Sequence, residues 1–235
     1  IPPAALAVHL CIGQAYATSV YKNSLIEHFD ASQTAIGFVF SIAIVMLGLS
    51  AAIMGTWVDK NGPRKAMFTS AMFWASGFLI GSLGIFTNQL WLVYLGYGFI
   101  GGIGLGIGYI SPVSTLIKWF PDRPGLATGM AIMGFGGGAL IASPVSTALL
   151  KMYDPNSGAK GWVASGDSVG KLFLTLAVVY LAYMLFGAFT IKVPAEGWKP
   201  AGFDPAGYCG DRDADLAMTE LFGGFPKDFH SAYRN

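Results

Sequence analysis

Charged residues are scarce in this sequence. Its 235 residues include only 14 Lys and Arg and 13 Asp and Glu, a charged fraction of 11%, whereas a soluble globular domain averages about 25%. A soluble protein of this size needs a polar exterior, and a chain that is 54% hydrophobic does not supply one. The composition therefore predicts a membrane protein.

Basic surface and cysteine are also in short supply. A net charge of +1 gives no basic stripe for a phosphate backbone, so we expect no nucleic-acid partner. The two cysteines are Cys11, in an apolar segment, and Cys209, in a polar tail. This excludes a disulfide framework and a cysteine metal cluster, and we expect neither a metal nor a cofactor.

Long uncharged windows divide the chain into segments that could each cross a bilayer. A hydrocarbon core of about 30 Å takes about 20 helical residues. The window 66–117 is long enough for two crossings, with a polar break at residues 87–89. Continuous apolar runs favour helices over barrel strands. The pattern predicts an all-α polytopic membrane protein with a six-helix bundle in 1–191 and a cytoplasmic linker or tail in 192–235. The predicted transmembrane helices are 4–21, 36–56, 66–86, 91–111, 125–150 and 170–191.

Lys and Arg are distributed unequally between the predicted loops. Ten of them follow the second, fourth and sixth helices, and four lie on the opposite side. The positive-inside rule therefore predicts that both ends of the chain are cytoplasmic.

Small residues recur at helical spacing in four of the predicted helices. They are Gly48, Ala52 and Gly55, then Gly77 and Gly81, then Gly98, Gly102 and Gly106, and finally Gly125, Gly129, Gly134 and Gly138. Such faces let helix backbones approach closely in lipid. We expect them to pack helices together; the alternative is that they provide mobility.

The turn between the second and third predicted helices carries a charged motif, GTWVDKNGPRK, at residues 55–65. Asp59 can accept hydrogen bonds, Gly62 permits a positive φ, and Arg64 with Lys65 can anchor the next helix at the headgroups. A polar turn with positive-inside charges is one explanation. The spacing from Gly55 is more specific, and it resembles the loop signature of the major facilitator superfamily, which lies between the second and third helices.

Further stretches resemble the oxalate/formate antiporter family, which is related to the monocarboxylate transporters. These stretches are residues 6–17, 106–112, 118–123, 193–194 and 197–200. The resemblance implies the N-terminal half of a major facilitator fold, built as two inverted three-helix repeats. It also implies a missing C-terminal six-helix half as partner and a prokaryotic inner membrane as location.

Two features depart from the family pattern. Thr18 stands where many members have a large aromatic residue, and the chain ends at Asn235 without a seventh helix. The chain also starts at Ile1 rather than Met, so we expect a trimmed chain or a fragment.

Polar residues inside the predicted spans are the candidate binding residues. Every Lys, Arg, Asp and Glu lies in a loop or the tail, which leaves His9 as the ionisable side chain within a span. A buried carboxylate needs a positive partner, and the resemblance places that partner in the second half. We predict that Gln14, Tyr16 and Tyr109 contact the substrate, Tyr109 being favoured by the resemblance. Hydrogen bonding between helices is the alternative.

Helix periodicity arranges the polar residues of the first span in two stripes. Cys11, Gln14, Thr18 and Tyr21 share one face, and His9, Gly13 and Tyr16 form the next. We expect His9 to be a packing residue. In the turn after the fourth helix, Asp122 and Arg123 could pair with the absent half and close the cytoplasmic side; the alternative is a solvated loop.

These observations predict a secondary transporter of small organic anions such as oxalate, formate or lactate, working by alternating access. The second hypothesis is an oligomeric six-helix channel, although neither half-helix pairs nor a selectivity-filter sequence is present. A membrane enzyme ranks last because one histidine cannot supply an acid, a base and a nucleophile. The partners that we expect are the lipid bilayer and the anion.

Overall fold

Helices account for the regular structure of this chain. The computed structural model describes residues 2–155 and 163–194, and no strand occurs among them. The predicted tail beyond residue 194 lies outside the described residues. The helical elements are α1 (Pro2–Ile12), a 3₁₀ segment (Gly13–Thr18), α2 (Ser19–Phe29), α3 (Gln33–Phe86), α4 (Leu90–Val93), a π segment (Tyr94–Ile100), α5 (Gly101–Trp119), α6 (Pro124–Tyr153) and α7 (Gly166–Thr190).

Two of the helical runs change hydrogen-bond pattern along their length. α1, the 3₁₀ segment and α2 follow one another with right-handed helical backbone at each junction. α4, the π segment and α5 do the same. The first run ends at Asp30, whose φ of 47° and ψ of 43° are left-handed. Ser32 is the N-cap of α3: its Oγ accepts a hydrogen bond from the Ala35 N–H at 3.1 Å.

α3 is two helices joined at a sharp break. Gly62 has a φ of 79° and a ψ of 164°, which is not helical, and Pro63 follows it. The arms are 33–61 and 63–86. Pro63 suits the start of the second arm because a proline at a helix N-terminus leaves no backbone N–H unpaired there.

Four helices in the described part are long and apolar enough to cross a membrane. They are Gln33–Phe86, Leu90–Trp119, Pro124–Tyr153 and Gly166–Thr190. The chain is therefore a polytopic helical membrane protein. That the run 2–29 forms a further span, and that the two arms of α3 cross separately, stay predictions. Several helices extend beyond the predicted spans. The spans were drawn to end near charged residues, but a helix can continue through such residues once its end has reached water.

Glycines bring the helix backbones together. A methyl group built at Gly138 of α6 would lie 2.7 Å from the Cα of Gly13, in the first helical run. One built at Gly102 of α5 would lie 2.8 Å from the carbonyl oxygen of Ala43, in the first arm of α3, and one at Gly77 would lie 2.8 Å from the Cα of Gly101. Real side chains do not fit at such distances, so these crossings require glycine.

Serine hydroxyls add hydrogen bonds at two of the crossings. Ser70 in the second arm of α3 donates to the carbonyl oxygen of Gly104 at 2.6 Å, and Ser82 donates to that of Gly170 in α7 at 2.8 Å. Both serines are buried. Their acceptors are glycine carbonyls that only close backbone contact brings into reach.

The predicted small-residue faces are confirmed at some positions and stay predictions at others. Gly77, Gly81, Gly98, Gly102, Gly106, Gly134 and Gly138 all lie against a neighbouring helix. Gly48, Gly55, Gly125 and Gly129 meet nothing within 4 Å in the described part of the chain. Periodicity identifies a face of small residues, but it does not say whether a neighbouring helix covers that face.

We predict opposite effects for alanine at two adjacent glycines of α6. Gly138→Ala places a methyl group against Leu10 and Gly13, and we expect a loss of about 1–3 kcal/mol in unfolding free energy. Gly137→Ala meets open space and should be neutral or gain up to about 1 kcal/mol from helix propensity. Thermal unfolding in detergent, followed by circular dichroism, measures both. Equal shifts would contradict the assigned contact.

Candidate functional site

Two of the predicted substrate residues belong to one aromatic cluster, the Phe135 cluster, formed by Tyr16, Phe40, Phe135, Tyr109 and His9. The ring centroid of Phe135 lies 5.2 Å from that of Tyr16 and 5.2 Å from that of Tyr109. Phe40 contacts Tyr16 at 5.9 Å, and His9 contacts Tyr109 at 5.8 Å. The Tyr16–Phe40 pair is tilted and the other three are edge-to-face, a geometry that favours the pairing of rings.

The two tyrosines of the Phe135 cluster have unused hydroxyl groups. Tyr16 is 48% exposed and Tyr109 is half-buried. Within residues 2–155 and 163–194, neither hydroxyl makes a hydrogen bond to the protein. A phenolic O–H can donate to a carboxylate, so the cluster offers two donors to a bound anion.

His9 and Phe135 form the buried side of the cluster. Phe135 is buried and His9 is fully enclosed, with its Nδ1 3.2 Å from the carbonyl oxygen of Ala5. A side chain added at Gly134 would contact Cβ of His9. This enclosure supports the expectation that His9 is a packing residue.

Gln14 is not part of the Phe135 cluster. It is fully buried; its Nε2 donates to the Tyr21 hydroxyl at 3.1 Å, and its Oε1 accepts from the Tyr97 hydroxyl at 3.4 Å. Thr18 joins them, with its Oγ1 3.2 Å from the Tyr97 hydroxyl. In the structure Gln14 therefore makes hydrogen bonds between helices, which was the alternative to substrate contact. Direct contact between Gln14 and a substrate stays a prediction.

The loop motif depends on Gly62. Its φ and ψ fall in a region that only glycine populates readily, as the motif predicted. Gly55 is helical and faces open space. Asp59 and Lys65 are exposed, and the described residues include no hydrogen-bond partner for the Asp59 carboxylate.

Arg64 links the loop to the end of α7. Its Nε donates to the carbonyl oxygen of Ile191 at 3.1 Å, and Trp119 donates through Nε1 to the carbonyl oxygen of Lys192 at 2.8 Å. A cation suits this place because the carbonyls at a helix C-terminus lack intrahelical partners. Residues from the loop and from the end of α5 thus hold the chain that leaves α7.

Asp122 and Arg123 contact each other in the turn between α5 and α6. The Arg123 Nε lies 3.6 Å from an Asp122 carboxylate oxygen, and the arginine side chain is 72% exposed. Such an exposed pair contributes little to stability. Pairing with another part of the protein stays a prediction.

Phe135, Phe40 and Tyr97 were not identified as site residues from the sequence, and the first and last of these have glycine neighbours. Phe135 lies in an uncharged glycine-rich segment, and Tyr97 lies between Gly96 and Gly98. Neither stands out from its neighbours by residue type. An aromatic residue flanked by glycines is a weak signal for close approach, and it could have drawn attention to both.

The fold and the site define a class: a polytopic helical membrane protein whose interior carries polar and aromatic side chains near helix crossings. The chain belongs to the Major Facilitator Superfamily, whose family model matches residues 4–224. Members of this family are transporters and do not catalyse reactions, so the prediction that the protein is not an enzyme is confirmed.

Three relatives support the family resemblance that was noted in the sequence. The chain is 28% identical over 194 residues to the oxalate:formate antiporter of Oxalobacter formigenes. The matched region is 82% of this chain and 42% of the relative. It is 26% identical over 228 residues to monocarboxylate transporter 1 of Bos taurus, covering 95% and 43%. The uncharacterized MFS-type transporter YhjX of Escherichia coli (strain K12) is 25% identical over 189 residues, covering 80% and 42%. The chain thus spans about two fifths of the length of these relatives.

We predict that Gly62→Ala destabilises the protein, whereas Gly55→Ala does not. Alanine at the Gly62 backbone geometry should cost about 1–3 kcal/mol. Gly55 lies in the same motif with helical backbone and open space around it, so it is the matched control. Thermal unfolding of both variants in detergent measures the difference, and a tolerated Gly62→Ala would refute the assigned geometry.

A second pair of loop variants tests the link to α7. Arg64→Ala removes the hydrogen bond to Ile191, and we expect a loss of about 1 kcal/mol. Lys65→Ala removes an exposed neighbouring charge and should change stability by less than about 0.5 kcal/mol. The measurement is again thermal unfolding, at low and high salt. If Lys65→Ala costs as much as Arg64→Ala, net charge rather than the hydrogen bond is responsible.

Proposed function

We propose that this chain is the N-terminal six-helix half of a secondary transporter of small organic anions, namely oxalate, formate or a monocarboxylate such as lactate. The observation that carries the proposal is the pair of unused hydroxyls on Tyr16 and Tyr109, fixed against Phe135, in a member of this family. Two hydroxyl donors held close together can each donate to an oxygen of a small carboxylate. Two relatives of the chain are an oxalate:formate antiporter and a monocarboxylate transporter, which supports this class of substrate.

The positive partner of the anion lies outside this half in our proposal. No Lys, Arg, Asp or Glu belongs to the Phe135 cluster, and desolvating a carboxylate without a cation is very costly. Two phenols orient the anion but do not neutralise it. A C-terminal six-helix half would supply the cation, and the share of the relatives that the chain spans leaves room for that half.

We propose two inverted three-helix repeats for the fold of this half. In that arrangement the contact between α1 and α6 corresponds to the contact between the first arm of α3 and α5. Both contacts are made through glycine: Gly138 meets Leu10 of α1, and Gly102 meets Ala43 of the first arm of α3. Equivalent packing at equivalent crossings supports the repeat and the count of six spans.

Alternating access assigns a role to the two charged turns. Rocking of one half against the other would open the Phe135 cluster to each side in turn. The loop residues Gly55, Asp59, Gly62, Arg64 and Lys65 would form part of the cytoplasmic gate. Asp122 and Arg123 would lie on the same side and exchange partners with the other half.

The remaining parts of the proposal concern location. The distribution of Lys and Arg supports cytoplasmic ends, with 192–235 as the linker between halves. A prokaryotic inner membrane is the proposed location, in keeping with the bacterial relatives.

Uptake by proteoliposomes that contain the full-length protein tests this function. We expect saturable uptake of labelled oxalate, formate or lactate. Tyr16→Phe and Tyr109→Phe should each raise KM by about fivefold, since each removes one hydrogen bond to the anion. Tyr183→Phe is the control, because Tyr183 is a 60% exposed tyrosine of α7 outside the cluster. Absence of uptake for every small carboxylate would overturn the proposal.

A further inference from the structure

We infer that Tyr97 is a positioning residue for transport: its hydroxyl holds the 3₁₀ segment Gly13–Thr18 in the conformation that presents Tyr16 to the anion. Tyr97 itself lies outside the Phe135 cluster: among the described residues its ring contacts are with Trp74, Phe78 and Phe173. The inference rests on the proposed function for its effect on transport. Its effect on the 3₁₀ segment is independent of any substrate.

Four side chains form a closed hydrogen-bond network between the first helical run and the π segment. Gln14 donates to Tyr21 at 3.1 Å, Tyr97 donates to Gln14 at 3.4 Å, and the Tyr21 and Tyr97 hydroxyls are 3.4 Å apart. Thr18 lies 3.2 Å from the Tyr97 hydroxyl. Gln14 and Thr18 are thus held from the same side by one phenol.

The network joins the 3₁₀ segment to the π segment. Gln14 and Thr18 lie in the 3₁₀ segment Gly13–Thr18, and Tyr97 lies in the middle of the π segment Tyr94–Ile100. Both patterns are uncommon within long helices and cluster at functional places. Here each irregular segment provides side chains that satisfy the other.

The ring of Tyr97 is fixed independently of its hydroxyl. Its centroid lies 5.2 Å from Phe78, 5.6 Å from Trp74 and 5.6 Å from Phe173, and only 1% of the residue is exposed. The hydroxyl therefore cannot move away from Gln14 without a rearrangement of three other rings. A rigid donor of this kind can hold a less regular segment in place.

The 3₁₀ segment needs such support. Thr18 also donates to the carbonyl oxygen of Ala15 at 2.6 Å, so a side chain satisfies a carbonyl inside the segment. Within a membrane no water replaces a lost partner. Because Thr18 gives its own proton to Ala15, the Tyr97 hydroxyl is the donor that faces both the Gln14 amide oxygen and the Thr18 hydroxyl oxygen, and it serves one of them at a time. Its removal takes that donor away, and the regular α pattern becomes the competing conformation.

Tyr16 moves with the segment because it lies between Gln14 and Thr18 in sequence. Those two side chains are turned into the buried network, while Tyr16 is exposed and contacts Phe40 and Phe135. A change from 3₁₀ to α winding rotates residue 16 relative to residues 14 and 18. The position of the Tyr16 hydroxyl is therefore set by Tyr97 through Gln14 and Thr18.

The experiment compares Tyr97→Phe with Tyr94→Phe in the full-length protein. Tyr94 lies in the same π segment, and its hydroxyl donates to the carbonyl oxygen of Ala35 at 2.9 Å, outside the network. Each variant loses one hydroxyl and one or more hydrogen bonds from the same segment. The control therefore measures what simple loss of a bond does to the π segment.

Two readouts are taken. Hydrogen exchange by mass spectrometry in nanodiscs reports on amides 13–18 without substrate, and proteoliposome uptake gives KM and maximal rate. We expect Tyr97→Phe to speed exchange in 13–18 and to raise KM, each by roughly fivefold. Tyr94→Phe should leave both within about twofold. Thr18→Val removes the hydroxyl that faces Tyr97 together with its bond to Ala15, so it should speed exchange in 13–18 and raise KM at least as much as Tyr97→Phe. This variant covers the case in which Tyr97→Phe fails to fold, and unchanged exchange in it would overturn the inference.

Equal effects of the two tyrosine variants overturn the inference, because Tyr97 is then a structural residue only. Faster exchange in 13–18 with unchanged KM overturns it too, since the segment would not affect binding. If the wild-type protein transports no small carboxylate, the proposed function fails instead. The claim that Tyr97 holds the segment is then decided by the exchange result alone.

Discussion

In lipid there is no hydrophobic driving force for helices to associate, so the structure of this chain depends on other interactions between its helices. Close backbone contact at glycine and hydrogen bonds to glycine carbonyls hold the helices together. The crossing of Gly13 with Gly138 is the clearest case. Phe135 lies one turn before Gly138, and Tyr16 lies one turn after Gly13, so the aromatic contact between them follows from the backbone contact. The position of the candidate site therefore depends on where these helices cross.

Much of the fold could be predicted from the sequence because lipid allows few solutions. Long uncharged windows predicted helices, and Thr87 to Gln89 marked a true interruption. Gly62 was expected to permit a positive φ, and it has one. The face shared by Gln14, Thr18 and Tyr21 was also expected from periodicity, and the three side chains do meet. These features depend on neighbours in the chain, which a sequence displays directly.

The rest depends on partners far apart in the chain. Nothing in the residues around Gln14 points to Tyr97, because 83 positions separate them. The 3₁₀ and π segments were not predicted, since apolar periodicity is too coarse to distinguish three related windings. The fate of small-residue faces was equally hidden: Gly102 is covered and Gly48 is not. In the site, Tyr16 and Tyr109 were proposed separately, and only the structure supplies the ring that joins them.

If Tyr16 and Tyr109 contact the substrate as proposed, the Phe135 ring has a consequence for which anions fit. It lies 5.2 Å from both tyrosine rings, so the spacing of the two proposed donors would depend on a residue that itself donates nothing. A smaller or larger side chain at position 135 would then change the length of the anion that both tyrosines can reach, with the tyrosines themselves unchanged.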